Sequence, residues 1–420
     1  MSLRRVLALM ALTLMAVGLL AAVEVQGRES VTLLVHWPKG ADGFNALEEQ
    51  VNEYAQLNPS VTMDLISASG GNIWEKYITM LAGGVAPDAV HAVLNSVSNL
   101  DMLMPLPEAV AQRMRKEYLP ASLSLAERSG RIMGFPTEFQ TAGIVYNKQI
   151  FAERGVAGAP TPASWDEYYR LAKKLTLKDS DGSTLVWGAE SQRTYVEIVS
   201  YLSSNGYAIM TPDGKPQLNS PHVIDFVARL KELYDEGVLA WNAGAPTSTG
   251  RAAMAYWEPW FRVYVRQARP DLESSIGVSP VPYGKLGTSH AFAYGYQWCI
   301  MQASQNASST LKFLQWLCMQ RTDEGTTRMG NVMATLGSLP NTYADLTNQP
   351  SAKDPFVTGY MKIVNDQVHV KIPNFPGANQ WENVLVPQIG RIFRDLVTVI
   401  EGLEQAQTDW KARIAEATAR

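Results

Sequence analysis

Strand-like and helix-like segments alternate from Val31 onward, and this alternation limits the possible folds more than any other feature of the chain. Val31-Thr32-Leu33-Leu34-Val35-His36-Trp37 is a β-branched apolar run that reads as a buried strand. Pro38-Lys39-Gly40-Ala41-Asp42-Gly43 breaks it, and apolar residues then recur at helical spacing over residues 44–57. Residues 61–66 read as a second strand, a helix runs through Leu81 to the stop at Gly83-Gly84, and residues 89–94 read as a third strand. Strands separated by helices cannot pair through tight hairpins, so this order implies a mainly parallel sheet with helices on both faces.

The rest of the chain carries the same punctuation. Ser164 and Glu167 match a capping box before a helix over residues 165–175. Ser220, Pro221 and Gly237 mark the start and stop of a helix over residues 222–236, with Ile224, Val227, Leu230 and Leu233 on one face. Thr211-Pro212-Asp213-Gly214 is a turn, and residues 310–319 and 381–399 read as single helices. A length of 420 residues is compatible with roughly two to three domains. No internal repeat is present.

The stretch Ala253-Met254-Ala255-Tyr256-Trp257-Glu258-Pro259-Trp260-Phe261 points to a binding surface. An apolar strand ends in two tryptophans around Glu-Pro, and Pro259 suits the first turn of a following helix. Ligands of open α/β sheets collect where strands hand over to helices. Flat rings beside a carboxylate there suit a polar ligand with apolar faces, such as a sugar. Core packing is the competing reading for each ring.

Other features narrow the function by exclusion. Arg4 and Arg5 precede an uncharged apolar run over residues 6–23, as in an export signal. Cleavage after Val25-Gln26-Gly27 would leave Arg28 as the first mature residue, and a retained anchor is the alternative. No cysteine lies near this junction, so lipid modification of an N-terminal Cys is not expected. Cys299 and Cys318 sit in apolar surroundings and read as buried free thiols, with a disulfide, which export permits, as the alternative. A net charge of −4 with scattered basic residues gives no nucleic-acid signature. There is no phosphate-cradling Gly-rich loop, no dinucleotide fingerprint and no Gly-x-Ser-x-Gly elbow. His36, His91, His222, His290 and His369 show no metal-ligand spacing, so neither a metal nor a cofactor is expected. These absences favour a binder over an enzyme.

Several motifs in order give the chain a resemblance to a known family. They are Glu75-Lys76-Tyr77-Ile78 leading to Gly83-Gly84-Val85-Ala86-Pro87-Asp88-Ala89-Val90, and Gly130-Arg131-Ile132-Met133-Gly134-Phe135-Pro136 leading to Ile144-Val145-Tyr146-Asn147-Lys148. Pro162-Ala163-Ser164-Trp165-Asp166-Glu167, Gly250-Arg251-Ala252-Ala253-Met254 through Pro259-Trp260, and Leu339-Pro340 complete the set. Across residues 30–418 the chain resembles the extracellular solute-binding proteins of ABC importers, in the sugar-binding group that includes maltose-binding protein. The resemblance implies a two-lobed α/β fold with hinge strands and an interlobe cleft, a monomer, hinge closure on ligand, and delivery to a membrane permease. It also implies residence in the periplasm or at the cell surface. Mapped onto this chain, the first lobe is 28–140 plus 296–338 and the second is 141–295 plus 339–420, after a signal peptide at 1–27.

The expected ligand contacts follow partly from position and partly from the resemblance. Trp37, Lys39 and Asp42 lie at the end of the first strand, Trp74 at a helix start, and Asn95 after the third strand, where the family often has Asp. Glu138, Phe139 and Gln140 lie at the crossover, with Gln140 at a position where the family carries a carboxylate. Tyr195, Tyr296 and Trp298 occupy a matched aromatic position and a strand start. Trp260 and Trp381 match positions whose rings stack on sugar in the family; Trp257 and Glu258 flank the first, and Glu258 replaces the family's Gly. For Trp37, Trp74 and Trp298 core packing is an equal alternative. A pyranose offers C–H faces to indoles and hydroxyls to Asp, Glu, Asn and Lys, and a polar group left unpaired by the wrong sugar costs about 1–3 kcal/mol. The expected ligand is therefore an oligosaccharide. The alternatives are the same fold binding a polyamine, a glycerol phosphodiester or a compatible solute, or a secreted carbohydrate-active enzyme.

Overall fold

The computed structural model describes residues 29–68, 73–94, 100–160, 164–191, 194–244, 246–371, 375 and 377–419. The expected export segment and Asn95 lie outside them. The β-branched run after residue 28 pairs as Glu29–Val35, flanked in parallel by Val61–Ser67 and Ala89–Val93, which is the arrangement the strand and helix alternation requires. Tyr296–Met301 then joins antiparallel to Ala89–Val93, and Leu103–Met104 and Phe135–Pro136 pair with it. Alternation along these strands separates two cores. Val31, Leu33 and Val35 pack with Phe44, Leu47, Phe313 and Leu317 on one face. Leu34, Val90, Ala92 and Cys299 pack with Tyr77 on the other.

A second sheet has the order Leu239–Trp241, Ala189–Ser191, Met254–Trp257, Gly143–Asn147, Ile276–Ser279. Its first three strands are parallel, and Gly143–Asn147 runs antiparallel to both its neighbours. Both sheets are thus mixed rather than parallel throughout, because strands that carry the chain across between sheets enter against the grain. Ile144, Met254 and Tyr256 face Trp165, Val196, Phe226, Leu385 and Trp410. Val145, Ala255 and Trp257 face Phe261, Val265, Phe356 and Tyr360. Fully burying each such Leu, Val or Phe contributes about 1.5–3 kcal/mol, so each sheet carries a core of its own.

Three passages join the sheets. The first runs from Phe135–Pro136 through Gln140–Thr141 to Gly143–Asn147, and the second from Ile276–Ser279 through His290–Tyr294 to Tyr296–Met301. These two are paired to each other, Thr141 with Ala293 and Gln140 with Tyr294. The third passes residues 338–342, where Asn341 Nδ2 donates to the Thr137 carbonyl at 2.7 Å. Gly295 lies where the first two passages touch, and a Cβ there would stand 2.1 Å from the Glu138 carbonyl oxygen.

The structure modifies several local expectations. The Ser164 hydroxyl accepts from Glu167 N as the capping box requires. Ser220 occupies the N-cap of Pro221–Asp235 without a side-chain hydrogen bond. The helix expected over residues 381–399 is two, Trp381–Phe393 and Val399–Ala419. Asp395 takes a left-handed conformation between them, and Thr398 and Glu401 form a reciprocal capping box that starts the second. Cys299 and Cys318 are free and buried in cores on opposite faces of the first sheet. Among the described residues no helix is long and apolar enough to cross a membrane.

Candidate ligand site at the facing strand ends

In the first sheet the strands Glu29–Val35 and Ala89–Val93 end, and Tyr296–Met301 begins, at one edge. That edge carries His36, Trp37, His91 and Tyr296. The His36 ring stacks on Tyr296 with centroids 3.8 Å apart and planes 14° from parallel. The two histidine Nδ1 atoms are 3.2 Å apart, and His91 Nε2 lies 2.6 Å from Thr137 Oγ1 on the first crossing. Burial lowers the His36 pKa to about 3 and holds His91 well below the usual imidazole range, so both rings are neutral at pH 7.

The crossing contributes Glu138 and Gln140, both buried, with Gln140 Nε2 donating to Glu138 Oε2 at 3.4 Å. Burial pushes the Glu138 carboxyl up to about 7, against the lowering effect of that hydrogen bond.

In the second sheet the strand Met254–Trp257 ends at the same side as the crossing, since Trp257 pairs with Gly143. Trp257 and Trp260 meet edge to face at 4.8 Å, and Tyr264, on the next turn of the helix Phe261–Ala268, lies 5.2 Å from Trp260. Glu258 between them has no solvent exposure. The neighbouring strand Ala189–Ser191 feeds the helix Thr194–Ser204, which places Tyr195 5.4 Å from Trp381 in edge-to-face contact. The same strand and helix carry the buried carboxylates Glu190 and Glu197. Glu190 Oε2 accepts from Thr247 N at 2.8 Å. Burial pushes Glu197 up to about 8; the Ser191 hydroxyl opposes the rise, while Glu190 and Glu258 add to it.

The expected contacts thus separate into groups. Trp257 with Trp260, Tyr195 with Trp381, Glu138 with Gln140, and Tyr296 beside His36 are brought together. Trp298 is fully buried in the first core, and Phe139 is buried in the same core cluster as Trp257. Trp37 and Trp74 are also core rings, the first packed over Gly43 and the second edge-on to Tyr77. All four aromatics pack in core clusters, as Trp257 and Trp381 also do, because a strand or helix face that must cover a sheet takes the largest apolar rings available. Lys39 and Asp42 are exposed, Asp42 as the first residue of the helix Asp42–Leu57. His36, His91 and Tyr264 were not anticipated. For His36 the signal was present, since it is a polar ring at a strand end.

A cavity of about 530 Å³ lies at the opposite end of the second sheet, beside Lys148 and Ile276. Arg262 in its wall is held by Asp354 at 2.6 Å and by Glu273, so its charges are satisfied within the protein. Its two carboxylates, Glu273 and Asp354, are both engaged by Arg262, and its rings are Phe261 and Phe356.

Two mixed α/β sheets joined by crossing strands, with aromatic and carboxylate side chains at their facing ends, define the two-lobed periplasmic-binding-protein fold. Residues 37–318 match the family described as bacterial extracellular solute-binding protein, and the chain belongs to that family. It is 23% identical over 308 residues to the arabinooligosaccharide-binding protein of Bacillus subtilis (strain 168), covering 68% of this chain and 69% of that protein. It is 21% identical over 345 residues to the maltotriose-binding protein of Pyrococcus abyssi, covering 78% and 69%. Among solved structures, an ABC substrate-binding protein from Listeria monocytogenes in complex with cycloalternan superposes with a TM-score of 0.73 at 17% identity, covering 92% of this chain and 99% of that one. The sugar-binding protein MalE from Xanthomonas citri gives a TM-score of 0.73 at 17% identity, covering 93% and 98%.

Proposed function

We propose that this protein captures an oligosaccharide between its two lobes and delivers it to the membrane permease of an ABC importer, acting as an exported monomer without catalysis. The observation that carries the reading is the pairing of aromatic platforms with buried carboxylates at strand ends. Trp260 with Tyr264 and Tyr195 with Trp381 offer two ring surfaces, and Glu138 and Gln140 lie at the crossing between the sheets. Rings supply contact area at low entropic cost, and polar groups at their margins take hydroxyls. The relatives named for maltotriose and arabinooligosaccharide binding support the substrate class. In this reading the lobes divide at 140/141, 295/296 and 338/339, as the resemblance maps them. A ligand that touches both sides favours the closed arrangement by its differential affinity for the two states.

The test is a thermal-shift screen with maltotriose, arabinotriose, mannotriose, spermidine and glycerophosphocholine. A ligand at 100 times its dissociation constant adds about 2.7 kcal/mol to stability. A response to a trisaccharide is expected. Silence from every sugar with a response to spermidine or the phosphodiester would replace the carbohydrate reading by the corresponding alternative.

A further inference from the structure

The contacts at the first lobe's edge form a chain whose proton direction can be worked out. Tyr296 O accepts from Thr137 N at 3.0 Å and from Glu138 N at 3.3 Å, and lies 3.0 Å from Thr137 Oγ1. A carbonyl carries no proton, so that second contact is a hydrogen bond only if the threonine hydroxyl donates. Its single proton is then spent, and the 2.6 Å contact with His91 Nε2 requires His91 to donate from Nε2. A neutral His91 with its proton on Nε2 has a bare Nδ1, so the 3.2 Å contact between the two rings requires His36 to donate from Nδ1. Reversing the chain would leave the hydroxyl and carbonyl oxygens facing each other at 3.0 Å with no proton between them. The neutral state of both rings fits this assignment.

The geometry points to His36 as a ligand-binding residue, locked by the His91–Thr137–Tyr296 chain in its Nδ1–H tautomer so that Nε2 meets ligand only as a hydrogen-bond acceptor. His36 is half-buried, it follows directly on Glu29–Val35 at the strand-end site, and its ring meets the His91 side chain through Nδ1 and the His91 backbone, with no hydrogen bond to another residue at Nε2 among the described residues. An acceptor fixed in this way receives a hydroxyl proton and repels a carbonyl, carboxylate or ether oxygen. The chain ends on a hinge-strand carbonyl that also takes Thr137 N, so the discriminating group is tied to the passage between the lobes. His91 and Thr137 are positioning residues in this scheme. The inference rests on the carbohydrate reading for the identity of the ligand and on the contacts above for the tautomer.

Long-range 1H–15N spectra of the full chain with labelled histidine test the assignment directly. His36 is expected with its proton on Nδ1, the minor tautomer of free histidine, and His91 with its proton on Nε2. A proton on His36 Nε2 would overturn the inference whatever the ligand. Thr137→Val removes the hydroxyl that sets the direction, and His36 should then populate both tautomers; an unchanged Nδ1–H signal would show that the chain does not control it. Maltotriose, arabinotriose and mannotriose are then added separately. A sugar that raises the melting temperature should shift the His36 Nε2 resonance and bind His36→Phe, which keeps a ring against Tyr296, about tenfold or more weakly. A stabilising sugar with an unmoved resonance and unchanged affinity refutes the contact. Three silent sugars would refute the carbohydrate reading, and the tautomer spectra alone would then decide the chain.

Discussion

Glu197→Gln should make the protein more stable at neutral and alkaline pH while leaving it unchanged in acid. Glu197 lies in the helix Thr194–Ser204, is buried, and has Oε1 without a hydrogen-bond partner among the described residues. Its carboxyl is pushed from the ordinary 4.5 up to about 8, first by burial, with Glu190 and Glu258 adding repulsion against the Ser191 hydrogen bond. The folded state therefore holds a proton that the unfolded chain releases. The stability linked to that proton is fully present below pH 4.5 and is lost as the pH rises to about 8. At 1.36 kcal/mol per pH unit the loss is about 5 kcal/mol over the whole interval and about 3 kcal/mol at pH 7. Glutamine has the shape of the protonated acid and never ionises, so the variant does not undergo this loss. The assay is the thermal midpoint of both proteins at half-unit steps from pH 4.5 to 8.5. Glu138 titrates in both, so the difference between the curves reports Glu197 together with its coupling to Glu190 and Glu258. That difference should be near zero at pH 4.5 and on the order of 5 °C or more at pH 8. Parallel curves would refute a proton held at Glu197.

Trp260→Ala and Trp381→Ala should each abolish the ligand-induced thermal shift while leaving the far-UV spectrum native; wild-type binding in both variants would remove these rings from the site. Gly188→Ala should destabilise the second lobe by about 1–3 kcal/mol or prevent its folding, because the new Cβ would stand 1.8 Å from the Ala172 carbonyl oxygen, and a urea midpoint equal to wild type would contradict that close approach. Thr398→Ala should cost about 1 kcal/mol through loss of the capping box with Glu401, seen as faster amide exchange in the first turn of Val399–Ala419, and unchanged exchange would refute the box as the start signal.

Much of the local architecture is legible because its causes are local. The helix Trp165–Leu175 is bounded as its capping box indicates, and the strand, helix, strand order of residues 29–93 leads to three parallel strands. The break between Trp381–Phe393 and Val399–Ala419 was also written locally, as Thr398 with Glu401, but apolar periodicity running across it concealed it. The antiparallel entry of Tyr296–Met301 was not legible, since its partner Ala89–Val93 lies some two hundred positions earlier.

The candidate site divides along the same line. Matched family positions nominate Trp260, Tyr195 and Trp381, while residue type and place on a strand nominate Trp298 and Trp37. Which rings remain available to a ligand depends on which face of the strand the core covers, and Trp298 points into the face filled by Phe313 and Leu317. His36 shows the converse. By itself it is a histidine without a metal motif, and it gains a defined chemical role only because folding brings His91, Thr137 and the Tyr296 carbonyl into one line. By itself, then, the sequence determined most of the elements and their punctuation, which follow from short-range propensity and pattern, while the class of binding protein was read from the resemblance of its ordered motifs to a known family. The tertiary structure decided burial and which polar side chains meet, because those depend on side chains far apart in the chain coming together where water is excluded.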